Sequence, residues 1–345
     1  MKIVIARAFG GPDVFDVVER PTPAPGPGQV LVRITSIGLN YAELMARRGQ
    51  YKLISGDPPF TTGLEGGGII EAVGPGVSDR HTGQRVILSP DAPRRKDAAN
   101  PDLGGGTYRS HYLCDAAQTI PAPSVLPDDQ LGAIWLTYLT AWGCLDTYQH
   151  VSPGAIVALP GASSGVALAA AQVVKHLGGI TIGLTTSASK VDALKTIPTA
   201  KFDHIVVTHD QGKMLPWHTD IRRITDSRGV DVYFDPVASG EYLNTEIRTL
   251  AQYGTIWVYG LLGAPGVVDV QPLIRKSAAI RGWSIGEMSA KGAQSYGPAT
   301  ASILACFESG EFKQHIAARY KLDEVRAAHA EMEKGAHIGK IVLTP

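Results

Sequence analysis

A chain of 345 residues with 32 Lys+Arg against 32 Asp+Glu carries no formal net charge, which argues against a nucleic-acid binder or a polybasic membrane-surface protein, since both need an excess of basic charge. Its length asks for about two domains, and 44% hydrophobic against 19% charged residues excludes a disordered chain. Three cysteines neither build a disulfide scaffold nor fill a four-cysteine zinc lobe. The outlying number is glycine, at 39 residues against the ~7% usual in proteins. Such an excess is either flexible filler or backbone that turns tightly and approaches ligands closely.

Residues 1–5 read as a short strand, with no signal peptide expected. No stretch reaches the ~20 apolar residues that span a bilayer, so the chain is expected in a reducing compartment, most simply the cytoplasm. The first third alternates strand-like runs with Gly/Pro punctuation, the pattern of compact β structure. Residues 21–28 form a stiff Pro/Gly turn, 30–34 a strand, 39–48 a helix ending at Gly49, and 66–74 a strand bracketed by glycines. Residues 90–106 read as an exposed loop. From about 155 the rhythm changes. An apolar strand at 155–159 leads through a glycine-containing turn to a helix at 166–177, which Gly178 and Gly179 stop before a strand at 180–184. Buried strands are expected at 204–207, 230–234, 256–259 and 280–285, mostly with helices between them. Apolar strands alternating with helices imply a parallel sheet covered on both faces, and about six suit a dinucleotide-binding fold. From 301 onward the pattern gives two helices and a closing strand at 340–343.

The turn Pro160-Gly161-Ala162-Ser163-Ser164-Gly165-Val166-Ala167 joins a buried strand to a helix N-terminus. Small residues there let backbone approach a pyrophosphate, which the exposed N–H groups and the helix dipole favour. Ala167 stands at the third glycine position, which concerns helix–strand packing. The second strand ends in Thr185-Thr186-Ser187-Ala188-Ser189-Lys190, with no acid before Asp192. An NAD site places a carboxylate there for the ribose hydroxyls; hydroxyls plus an ammonium instead accept a 2′-phosphate. NADPH is the expected coenzyme, unless Lys190 is only a solvated first-turn lysine.

Several stretches in order resemble the zinc-independent quinone oxidoreductase (zeta-crystallin-like) branch of the medium-chain dehydrogenase/reductase superfamily. They are residues 39–51 (LNYAELMARRGQY), Gly63-Leu64-Glu65-Gly66-Gly67-Gly68 with Gly74 and Gly76, residues 136–142 (LTYLTAW), residues 229–237 (GVDVYFDPV) and Gly339-Lys340-Ile341-Val342. Within the branch, residues 40–51 look most like the vesicle amine transport protein group. The resemblance implies an α/β protein. A GroES-like β-rich catalytic domain at 1–126, resumed at 288–345, encloses in sequence a Rossmann doubly wound parallel-sheet coenzyme domain at 127–287. It also implies a homodimer formed through coenzyme-domain edges.

Zinc-containing relatives place a cysteine near Asn40 and a histidine immediately before Glu65; here Asn40 or its neighbours and Leu64 stand there. The structural-zinc lobe would lie at 90–106, which has no cysteine, and Cys114, Cys144 and Cys306 lack the spacing of a tetrahedral site. No metal is expected. Alcohol oxidation then loses its Lewis acid, which leaves hydride delivery to an electrophilic small molecule, a quinone or an enone or enal. The protein must position the nicotinamide and stabilise the developing oxyanion. The resemblance puts Asn40 and Tyr51 in the cleft as hydrogen-bond donors, with Tyr41 a lesser candidate. Asn40 equally suits the nicotinamide ribose, and Tyr51 equally suits a packing role. The turn and the second strand end together with the resemblance imply the cofactor positions Asn40, Thr140, Gly161, Ala162, Ser163, Ser164, Gly165, Val166, Thr185, Ser187, Lys190, Tyr259, Gly260 and Lys340, the last near phosphate or merely solvated. An ene reductase for one biosynthetic or detoxification substrate and an NADPH-binding protein with little turnover are the alternatives.

Overall fold

The computed structural model describes residues 1–94 and 105–345. Most of the stretch expected as an exposed loop, which is also the place of a structural-zinc lobe, lies outside the described residues. The chain divides into two compact units, Met1–Leu136 with Ser289–Pro345, and Thr137–Met288.

The first unit opens with the antiparallel strands β1 (Lys2–Ala6) and β2 (Phe15–Glu19). β3 (Gln29–Gly38) follows, then helix α1 (Tyr41–Arg47), and then β4 (Gly67–Val73), β5 (Arg85–Leu88), β6 (His111–Asp115) and β7 (Thr119–Pro121). β3 pairs antiparallel with both β4 and β6. Val30, Val32 and Ile34 alternate along it and share one buried cluster with Phe15, Ile70 and Val86, as a period of two demands. Strand β4 comes so close to β3 that a Cβ on Gly68 would lie 2.0 Å from the Arg33 carbonyl oxygen. α1 starts at Asn40 in a capping box with Glu43, and Gly49, at φ +75°, turns the chain away after it.

The second unit contains β8 (Ile156–Pro160), α2 (Gly165–His176), β9 (Ile180–Thr185), β10 (His204–Val207), β11 (Val230–Asp235), α3 (Gly240–Thr249), β12 (Leu250–Val258) and β13 (Ala279–Gly282). The six strands form one parallel sheet in the order β10-β9-β8-β11-β12-β13. Numbered within the unit this is 3-2-1-4-5-6, the doubly wound order whose switch point lies between the first and fourth strands. Every residue of β8 is buried, the mark of a strand covered on both faces. The strand expected at 256–259 begins earlier, at Leu250. That expected at 280–285 stops at Gly282, because the Ser284 hydroxyl accepts the Gly286 N–H at 3.1 Å and a short helix, Ile285–Ala290, begins.

The chain returns to the first unit with α4 (Ala293–Glu308), β14 (Ile316–Lys321), α5 (Val325–Lys334) and β15 (Lys340–Thr344). β14 is not evident in the sequence. It is a half-buried strand at the end of the sheet, and it pairs parallel with β15. β15 runs antiparallel to the end of β3, with Val342 opposite Gly38 and Leu343 opposite Ile37. Among the described residues no helix is long and apolar enough to cross a membrane.

Replacing Gly68 by Ala drives a methyl group into the Arg33 carbonyl. The variant is expected to lose about 1–3 kcal/mol or more, as overpacked sites do, which chemical denaturation will measure.

Candidate active site

In the second unit the candidate residues gather at the carboxyl ends of β8, β9 and β12, where doubly wound sheets bind their ligands. Gly161 takes φ +66°, a conformation that glycine reaches without penalty. Its carbonyl receives the Ser164 N–H at 2.8 Å, and the Ala162 N–H reaches the Leu184 carbonyl at 3.0 Å, so the turn is tied to β9. Ser164 caps α2 by accepting the Ala167 N–H at 3.1 Å. Gly165 and Val166 form the first turn of that helix, where backbone N–H groups have no partner within the helix. Lys190 extends from the end of β9 and donates to Ser163 Oγ at 3.0 Å. Burial lowers its pKa from the ordinary lysine value. Thr185 Oγ1 accepts the Ser187 N–H at 3.3 Å, and Ser187 Oγ pairs with Ser189 Oγ at 2.7 Å.

Tyr259 and Gly260 follow β12. The Tyr259 ring stacks on Phe234 at 4.0 Å. Burial raises its pKa above the tyrosine range, against a hydrogen bond with Ser164 that lowers it. A Cβ on Gly260 would meet the Pro236 carbonyl at 2.9 Å. Asp235, fully buried, accepts the N–H groups of Val237 and Ala238 at 2.6 and 2.8 Å, and burial pushes its carboxyl up to about 6. Thr140 opens a short α-helical turn flanked by two π-helical turns, Trp135–Leu139 and Gly143–Tyr148. Its carbonyl accepts the Trp283 indole N–H at 2.9 Å.

In the first unit the pairing of β15 with β3 brings Asn40 and Lys340 together. Lys340 donates to Asn40 Oδ1 and forms an ion pair with Glu65 at 2.6 Å, with side chains 4% and 1% exposed. The Asn40 amide faces Gly38 O, Glu43 Oε1 and Glu65 Oε1, each at 3.2 Å. Glu43 also accepts the backbone N–H groups of Asn40 at 2.7 Å and Leu64 at 3.0 Å, and Glu65 accepts that of Leu136 at 3.1 Å. Burial pushes Glu43 up to about 7; the Lys340 charge and the Asn40 hydrogen bond pull it down, and the Glu65 charge adds to the rise.

Lys340, expected near a phosphate, is instead spent on Glu65 and Asn40, because its strand completes the β-rich sheet. The Tyr41 hydroxyl oxygen accepts a hydrogen bond from Arg48. Tyr51 caps the short helix Lys52–Ser55, and its half-buried hydroxyl makes no hydrogen bond among the described residues. Sequence reasoning missed Glu43 and Glu65 as members of this cluster. The available signal was the spacing Asn40-x-x-Glu43, but a capping box explains that spacing without any further role.

Two family models match the chain. One, described as an alcohol dehydrogenase GroES-like domain, matches residues 26–124, and the other, described as a zinc-binding dehydrogenase, matches residues 200–343. The chain is 29% identical to the human synaptic vesicle membrane protein VAT-1 homolog, over 100% of this chain and 86% of that protein. It is 28% identical to a 2-haloacrylate reductase from a Burkholderia species, over 97% and 96%. Escherichia coli quinone oxidoreductase, solved with NADPH, superposes over all of both chains with a TM-score of 0.84 at 25% identity. The chain belongs to the medium-chain dehydrogenase/reductase superfamily, in its zeta-crystallin-like branch. It is an oxidoreductase of that superfamily, with a GroES-like unit and a Rossmann-type parallel-sheet unit.

Removing one partner of a buried ion pair leaves the other charge uncompensated, at a typical cost of about 3–5 kcal/mol. Lys340→Met is expected to destabilise the protein by about that much, read as a lowered midpoint of chemical denaturation.

Proposed function

We propose that the protein is an NADPH-dependent reductase that passes hydride to a quinone or an α,β-unsaturated carbonyl without a zinc ion. The observation that carries this reading is Lys190, whose ammonium stands 3.0 Å from Ser163 Oγ at the end of the second strand, where a carboxylate would repel a 2′-phosphate. NADPH, when bound, supplies the hydride. The first-turn N–H groups of Gly165 and Val166, with Ser163, would hold the pyrophosphate; Ala162, expected there too, is buried with its N–H on the Leu184 carbonyl. Lys190, Ser187 and Thr185 would hold the 2′-phosphate, and Tyr259, Gly260 and Thr140 would border the nicotinamide side. Asn40 and Tyr51 would donate to the oxyanion that develops on the acceptor.

The donor set also supports chemistry without zinc. Zinc sites are built from Cys, His and carboxylate ligands. At the corresponding places the chain has Asn40 and Leu64, and the Lys340 ammonium lies against Glu65. Without a Lewis acid the acceptor must already be electron-poor, as the names of the reductase and quinone oxidoreductase relatives suggest.

NADPH oxidation measured with quinones, 2-alkenals and cyclic enones, with NADH in parallel, tests the reading. A clear preference for NADPH is expected, and equal rates with NADH would sink the coenzyme assignment. Lys190→Ala should weaken NADPH binding about 10- to 100-fold, the worth of a charge-assisted contact at ~1.5–3 kcal/mol, and leave NADH binding nearly unchanged. No turnover despite tight NADPH binding would favour a binding protein. Prolonged chelation should leave activity intact, and metal analysis should find less than one zinc per chain.

A further inference from the structure

Glu43, Glu65 and Lys340 bring two carboxylates and one ammonium into the protein interior, where Glu43 is 0%, Glu65 1% and Lys340 4% exposed. Full ionisation leaves one uncompensated negative charge there, and a buried group in that position takes up a proton instead. The ammonium lies on Glu65 at 2.6 Å, and Glu43, which has no cation on it among the described residues, is the acceptor of the proton. Asn40 is the half-exposed member of the cluster. Its amide nitrogen carries two hydrogens and faces three acceptors, Gly38 O, Glu43 Oε1 and Glu65 Oε1. Lys340 holds its Oδ1, and the carboxylates hold its planar NH2 group inward. With Glu43 ionised, both hydrogens have charged acceptors. With Glu43 neutral, one of those contacts weakens, and the amide is freer to turn a hydrogen toward an oxygen brought in by a ligand.

We infer that Glu43 is a positioning residue whose proton decides whether the Asn40 amide is available to the acceptor. The inference rests on the proposed role of Asn40 as a donor to the developing oxyanion. Every element packed around Glu43 contributes to its setting. Asn40 and Arg47 come from α1, Leu64 and Glu65 from the segment before β4, Tyr108 from the segment before β6, and Lys340 from β15. Tyr108 feels the charges of both Glu43 and Arg47, but its hydroxyl is committed to His329 at 2.9 Å. Arg47 is committed to the Gly10 carbonyl and to Glu333. Neither group neutralises Glu43 through a hydrogen bond. A carboxyl pushed up to about 7 changes charge within the pH range in which the enzyme would work.

Two measurements test the inference, one of them independent of turnover. In the full chain without coenzyme, carbon-13 NMR of carboxyl-labelled glutamate should show a carboxyl titrating near neutrality that belongs to Glu43 and is distinct from buried Glu246, whose carboxyl burial also pushes up. That signal should be absent from Glu43→Gln and should shift to lower pH in Glu65→Gln, which removes the like charge. The second measurement is kcat/KM for the acceptor between about pH 6 and 9. The wild type should lose activity as Glu43 ionises, and Glu43→Gln, which cannot ionise, should lose that limb of the profile. A merely structural role for Glu43 would lower the variant's activity equally at every pH, and that result would overturn the inference. So would the absence of any glutamate titrating between about pH 6 and 8. A titrating Glu43 in a protein that turns over no acceptor at any pH would overturn the proposed reductase and the role given to Asn40, but not the buried proton.

Discussion

The pairing of the last strand with the end of β3 is the constraint on which the β-rich unit depends. Two residue pairs, Val342 with Gly38 and Leu343 with Ile37, join parts of the chain about three hundred residues apart. The same register sets the Leu39 N–H on the Ile341 carbonyl at 3.0 Å. Asn40 and Lys340 are carried to one another as a consequence. Closing so long a loop costs entropy that grows only slowly with its length, so a whole domain can be inserted in the sequence without losing the contact. Sheet hydrogen bonding supplies the register, and the ion pair with Glu65 then has both partners delivered to it.

The two units treat polar groups in opposite ways. In the coenzyme unit the turn after β8 is left rich in backbone N–H groups and hydroxyls, with one half-buried ammonium, and such a surface suits a ligand that brings its own negative charge. In the β-rich unit the Lys340 ammonium is set against the buried carboxylate of Glu65, and Asn40 remains partly accessible beside them.

What the sequence made legible was local or strongly periodic. The turn at 160–167 lies within one contiguous strand–turn–helix unit, and the buried run of β8 could hardly be anything but a central parallel strand. The strand at 316–321 was hidden because its burial does not alternate cleanly and its partner is the final strand. The cluster around Glu43 was hidden for a related reason. Glu65 could be seen as part of a glycine-rich motif and Glu43 as a helix cap, but nothing local says that their carboxylates share one asparagine. Lys340 was expected from the family resemblance either near phosphate or solvated; the register that carries it to Asn40 is a tertiary fact.

The glycines answer to two physical causes, close approach and positive φ, and the turns around Pro236 show one of each. Pro236 follows β11 on the far side of the switch point. Its side chain would lie 3.4 Å from a Cβ on Gly161, and its carbonyl 2.9 Å from a Cβ on Gly260. The Asp235 carboxyl accepts the two N–H groups beyond Pro236, which fixes the turn that holds the proline. Burial raises the cost of charging Asp235, and those two N–H groups partly offset it. The turns after the first and fifth strands are therefore braced against a single turn after the fourth. At Gly260 glycine is required because Pro236 already occupies the space of a side chain, whereas at Gly161 the contact is an ordinary one and the backbone at φ +66° is what favours glycine.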